Sequence, residues 1–309
     1  MVNKTLSTKR LALQAKWVFK DQMFIRKVLL TIFWLGFIVA LISPFTELEP
    51  VWQQDSLQDW QQPSRLEGLN SKDKVKLSQR LSYTLPLPEQ QPLPDFNAFS
   101  QTSDKKRAFF AYLKPHVKRE NARLRSLRSQ LLEIIEKRQK GLQLTAIENA
   151  FLYSLYDEFR LEVTTSDNNT MTALLSRVDI IPQSLVLMQA ANESAWGTSR
   201  FAVEGYNFFG QWCFKQGCGI IPSSRDEGQL HEVAKFNGPA QSIASYFYNL
   251  NSFYTYQHLR EIRQQLRQQN KPLRGEKLAE GLSAYSERGE EYIAEIQSMI
   301  RYNRKFLEQ

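Results

Sequence analysis

A chain of 309 residues, 42% hydrophobic and 23% charged, is long enough for one or two domains with a true core. Its formal charge of +8 points to nucleic acid only until the charges are located. Residues 1–27 hold seven basic groups against one acid, Asp21, so the folded remainder is close to balanced and carries no nucleic-acid footprint.

After this tail, "VLLTIFWLGFIVALISPF" (residues 28–45) contains no charge. Its length is just sufficient to cross a bilayer as a helix. A cleaved signal peptide would have a shorter basic region and a small-x-small exit, which "ALISPF" supplies poorly. The segment is therefore expected to be a retained signal-anchor. The positive-inside rule then leaves the tail in the cytoplasm and everything from about Glu47 outside it. From 46 to 95 the chain is rich in proline and glutamine, as in "TLPLPEQQPLPDF", and seven of the twelve prolines fall between Pro44 and Pro94. Proline disfavours regular helix and sheet, so this reads as a periplasmic spacer, interrupted by a short helix at "SKDKVKLSQRLS".

From 96 to 309 the pattern is helical, with the domain core expected over about 145–305. Leu124, Leu127, Leu131, Leu132 and Ile135 form one apolar stripe. Thr145 and Glu148 have the spacing of a capping box ahead of a second helix. Ile243, Phe247 and Leu250 make a third stripe, and Tyr292, Ile293, Ile296, Met299 and Ile300 the last. These stripes read as core and carry no functional signal. Only residues 218–236 look like strand and turn. The expected class is α+β, predominantly α-helical, with a small β-hairpin lobe and one preceding transmembrane helix.

The informative stretch is "QAANESAWGTSRFAVEGYNFFGQW", residues 189–212. Pro182 suits the first turn of a helix running through "QSLVLMQAANES", which leaves Glu193 at its C-terminal end. The helix dipole disfavours a negative charge there, and Trp196 is placed to cover the carboxyl. Both effects raise the pKa, as a general acid working near neutral pH requires. The bland alternative is an exposed helix glutamate, and the residues alone leave it open. Tyr206, Trp212, Tyr246 and Tyr285 offer flat faces to a pyranose ring, and Asn207 a polar partner for its hydroxyls. Phe209 reads as core beside the Gly210 turn.

The three histidines are far apart and no Cys-x-x-Cys or glycine-rich phosphate loop occurs, so no metal or cofactor is expected. Cys213 and Cys218 enclose "FKQG", where Gly217 lets a short loop turn; in an oxidising compartment the pair is expected to form a disulfide.

"QAANESAWG" followed by "NFFG" resembles the glucosaminidase-domain family of bacterial cell-wall hydrolases. The region from about Phe110 to Asn303, with "QWCFKQGCG", "HEVAKF", "YFYNLN" and "GLSAYSERGEEYIAEI", is similar to its Bax subfamily. Asn192 and Ala195 depart from the usual pattern, as does the cysteine-bounded insertion. The resemblance implies a lysozyme-like fold and endo-N-acetylglucosaminidase chemistry on peptidoglycan glycan strands, with Glu193 as acid. It also implies a second carboxylate on the small sheet element, for which Asp226, Glu227 and Glu232 are the candidates. A two-residue turn at Gly228–Gln229 would pair Asp226 with His231 and Arg225 with Glu232, leaving Glu227 free in an auxiliary catalytic role. A lytic transglycosylase or muramidase acting on the same substrate, and a non-catalytic glycan-binding envelope protein, are the alternatives. The expected location is the bacterial inner membrane, single-pass, with the catalytic domain in the periplasm.

Overall fold

The computed structural model describes residues 69–89, 91–161, 168–223 and 231–307, all within one compact unit. The apolar segment 28–45 and the candidate carboxylates Asp226 and Glu227 lie outside the described residues. Among those described, no helix is long and apolar enough to cross a membrane.

Helix α1 (Ser71–Leu81) opens with Asn70, whose side chain accepts from the Asp73 amide. Helix α2 (Thr102–Gln139) is the longest, roughly 57 Å at 1.5 Å per residue. Its buried stripe runs through Leu124, Leu127, Leu131 and Ile134, whereas Leu132 faces outward and is 45% exposed. Helix α3 (Ala146–Glu158) starts from a capping box in which Thr145 and Glu148 satisfy each other's backbone amides.

Helix α4 (Asn168–Arg177) leads to α5 (Gln183–Glu193), for which Pro182 is the N-cap. Every residue of α5 from Leu185 to Ala191 is buried. A helix apolar on all sides needs protein on all sides, and α5 receives it from α2 and from two later helices. A short α6 (Arg200–Gly205) follows.

Three strands form one antiparallel sheet: β1 (Trp212–Cys213), β2 (Gly219–Ile220) and β3 (Glu232–Ala234). Strand β3 is central, pairing Cys213 with Glu232 on one edge and Ile220 with Val233 on the other. The lobe is thus three-stranded rather than a bare hairpin. Among the described residues Glu232 pairs with Cys213 and Val233 with Ile220; the expected turn at Gly228–Gln229 and its partner Arg225 lie outside them.

The remaining α-helices among the described residues are α7 (Pro239–Ser252), α8 (Gln257–Gln268), α9 (Gly275–Leu278), α10 (Glu290–Tyr302) and the short α11 (Arg304–Leu307). Helices α9 and α10 complete the wall around α5, and α7 lies on α2. The loop into α5 is fixed by a buried polar hub. Arg263 donates to the carbonyls of Ser176, Asp179 and Ile180 and to Asn251 Oδ1, while Arg267 grips both carboxylate oxygens of Asp179 at 2.7 and 3.0 Å. Opposite, Asn121 of α2 brackets Ile181 through its amide and carbonyl. The architecture is α+β and mostly helical.

Candidate active site

Helix α5 ends at Glu193, and the chain reverses at once. Ser194 donates back to the Ala190 carbonyl at 2.6 Å and accepts from the Gly197 amide at 2.8 Å. Ala195, Trp196 and Gly197 then all take left-handed backbone conformations, with φ of 50°, 60° and 79°. For the first two this is costly, and such strain persists only where packing imposes it. At the third only glycine fits, since an added Cβ would lie 2.4 Å from the Phe96 ring.

This turn commits Trp196 elsewhere than expected. Its ring meets Phe109 and Phe110 of α2 edge-on, each at 5.6 Å, and carries the Lys106 ammonium 4.8 Å from its centre. The partner of the Glu193 carboxyl is Tyr292 of α10, which donates to Oε1 at 2.7 Å. A longer contact from Asn192 Nδ2, 3.4 Å, reaches the same oxygen. Behind Tyr292 the chain of donors has one direction. The Tyr246 hydroxyl donates to Gln189 Oε1 at 2.5 Å, and Gln189 Nε2 donates to the Tyr292 oxygen at 2.8 Å. Tyr292 has a single proton and already receives one bond, so its own must point at Glu193.

Burial pushes the Glu193 carboxyl above its ordinary pKa; the bonds from Tyr292 and Asn192 and the charge of Arg288 oppose that rise, and Glu295 adds to it. With Oε1 held as an acceptor, the acidic proton belongs on Oε2. That oxygen faces Gly210, where an added Cβ would stand 3.8 Å away. The arrangement is a half-buried carboxylic acid whose Oε1 accepts from Tyr292 and Asn192, which leaves Oε2 to carry the proton that a general acid donates.

Some residues expected to line a groove serve it from behind. Asn207 is 1% exposed, and its polar atoms are spent on the backbone. Nδ2 donates to the carbonyls of Gln211 and Ala234, and Oδ1 accepts from the amides of Phe209 and Gln211. It shapes the Gly210 turn rather than meeting a ligand. Tyr246 is fully buried, stacked on Phe209 at 4.1 Å, and acts through Gln189. Tyr285 stacks on Tyr292 at 5.6 Å and donates to the Phe209 carbonyl, which ties α10 to that same turn. Tyr206 is half-buried at the left-handed end of α6. Trp212 is 41% exposed, edge-on to His231 at 4.7 Å, and presents an open face. Phe208 and Phe209 are core.

Cys213 and Cys218 form a disulfide. Glu232, one of the three candidate carboxylates, is 3% exposed and accepts from the amides of Gly217 and Gly219 at 2.9 and 2.7 Å. It organises the disulfide loop and is not directed at Glu193. In the sequence Tyr292 belongs to an apolar stripe; its bond with Gln189 spans 103 residues and no local spacing reveals it.

Residues 168–305 match the glucosaminidase family, described as mannosyl-glycoprotein endo-beta-N-acetylglucosaminidase. The chain is also 28% identical to protein bax of Escherichia coli (strain K12) over 233 residues, covering 75% of this chain and 82% of the relative. No solved structure gives a significant match.

Proposed function

The chain is a Bax-like glucosaminidase-domain protein, and from that premise we propose that it hydrolyses peptidoglycan glycan strands beside N-acetylglucosamine, with Glu193 as the general acid. The observation that carries this reading is the Glu193 carboxyl itself: its pKa is raised by burial, Tyr292 holds Oε1, and Oε2 lies beside Gly210. A proton delivered from Oε2 to the glycosidic oxygen would let the leaving sugar depart as an alcohol. Trp212, which is 41% exposed, and the half-buried Tyr206 are the aromatic faces proposed to meet the sugar rings. Glu227, on the connection between β2 and β3, is proposed as an auxiliary carboxylate that orients water or the N-acetyl group. Glu227→Ala should then lower turnover in a protein whose fold is intact, and full activity in that variant would remove the assignment.

The proposed setting is the inner membrane, anchored through residues 28–45, with the domain in the periplasm. The Cys213–Cys218 disulfide is consistent with an oxidising compartment. A reporter fused after Gln309 that works only in the cytoplasm should be silent; activity would reverse the orientation. The reaction itself is tested by digesting purified peptidoglycan with the full-length protein, reducing the products with borohydride and analysing the new ends. Reduced N-acetylglucosamine is expected. Reduced N-acetylmuramic acid would mean a muramidase, anhydro ends a transglycosylase, and no products a binding protein.

A further inference from the structure

A cleft of about 410 Å³ adjoins the Glu193 turn. Trp196 forms one wall, and Glu295, Ser298, Tyr302 and Asn303 line it with Lys106. Helix α10 links it to the acid. Tyr292, which bonds Glu193, lies one turn before Glu295, and Tyr302 stands about 15 Å farther along the axis from Tyr292.

The arrangement of Lys106 is unusual for a surface lysine. Its ammonium sits 4.8 Å from the Trp196 ring centre and 5.0 Å from that of Tyr302, and it donates to Asn303 Oδ1 at 2.7 Å. Two aromatic faces and an amide oxygen hold the cation in place. Among the described residues no carboxylate lies within ion-pair distance of it. The acid that lines the cleft, Glu295, is already paired with Arg288. Burial first, and then the charge of Lys305, disfavour the charged form of Lys106. An ammonium has three donors, and among the described residues one of them is bonded, to Asn303. A positioned cation with donors to spare, beside a second positive charge, calls for an anion.

We propose that this cleft is a carboxylate subsite, in which Lys106 takes a carboxylate borne by the glycan strand whose sugar is held at Glu193. The inference rests on the glycan-hydrolase reading above and deepens it. The carboxylate has two chemical sources on such a strand, the lactyl group of its N-acetylmuramic acid or the attached peptide.

The test measures binding without turnover. Full-length protein carrying Glu193→Gln is titrated with three ligands: a tetramer of N-acetylglucosamine, which has no carboxylate; peptide-free glycan strands, which expose the lactyl carboxylate; and peptide-bearing strands. Adding Lys106→Met should cut the affinity for carboxylate-bearing strands, relative to the tetramer, by about tenfold. Lys106→Arg, which keeps the charge, should restore most of that ratio. A loss on peptide-free strands assigns the lactyl group, and a loss confined to peptide-bearing strands assigns the peptide. An unchanged ratio in Lys106→Met overturns the proposal, as does failure of Lys106→Arg to recover it. Neither result depends on whether the wild-type protein cuts the strand.

Discussion

Glu193 and Tyr292 make a pair in which one group sets the working range of the other. The bond from the Tyr292 hydroxyl favours the ionised carboxyl and so opposes the rise that burial imposes. A general acid loses activity as pH climbs through its pKa. Tyr292→Phe removes the opposing bond, and the alkaline limb of the pH profile should therefore move to higher pH. Turnover should fall about tenfold at the same time, because Oε1 loses its anchor and Gln189 its acceptor. Profiles of kcat/KM for the two proteins measure this; an alkaline limb that stays put or moves down would contradict the role given to Tyr292. The position of Glu193 at a helix end was legible from Pro182 and the spacing that follows it. Its partner was not. Tyr292 belongs to an apolar stripe that a helical period reads simply as core, and its hydroxyl acquires meaning only when α10 packs on α5. Asn207 misled for the complementary reason. An asparagine between aromatic residues suits a sugar site, yet the tight Gly210 turn leaves backbone amides and carbonyls that need a side chain to satisfy them.

At the scale of elements, the polar hub around Asp179 holds α5 in register. Asp179 is 2% exposed and is met by Arg267, Arg263 and Arg128. Burial pushes its carboxyl up, but the hydrogen bond from Arg267 and the three guanidinium charges outweigh that, and the net pKa is lowered. A lowered folded-state pKa contributes stability that is complete above the ordinary aspartate value near 3.8 and is lost as pH falls below it. Asp179→Ala leaves Arg263 buried without its counter-charge, and should cost about 3–5 kcal/mol at neutral pH. Chemical denaturation would read this; the difference between wild type and variant should shrink as pH drops below that value. A variant within about 1 kcal/mol of wild type at neutral pH would show that the hub is dispensable. The helices themselves were largely readable, since Thr145 with Glu148 and the leucine stripe of α2 are local signals. The sheet was only half readable. Two-residue strands carry no alternation to detect, and the central place of β3 follows from tertiary pairing with Trp212–Cys213 rather than from any nearby turn.

Across the molecule, the segment before α2 is joined to the active-site turn. Leu77 of α1 is buried, and α1 packs on α3. The Tyr83 hydroxyl donates to Glu120 at 2.8 Å, with Arg119 stacked 3.4 Å above its ring. Phe96 is 1% exposed, set against Phe109 and beneath Gly197. In the sequence, 46–95 reads as a proline-rich spacer interrupted by a short helix, and the domain opens at Phe96; that helix is α1, and the contacts of Leu77 and Tyr83 are tertiary ones that proline content does not reveal. Phe96→Ala should cost about 3–5 kcal/mol and reduce turnover as well, since the strained turn after Glu193 rests on that ring. Thermal melts with parallel assays would measure both. Loss of stability with undiminished turnover in the folded fraction would uncouple Phe96 from the site. The central claim, however, is the proton on Glu193, and one comparison tests it most directly. Full-length wild type and Glu193→Gln are incubated with the same peptidoglycan, with bound protein and released glycan both measured. The account predicts glycan release by the wild type, and binding without release by the variant. Release by Glu193→Gln at a rate near that of the wild type would contradict it.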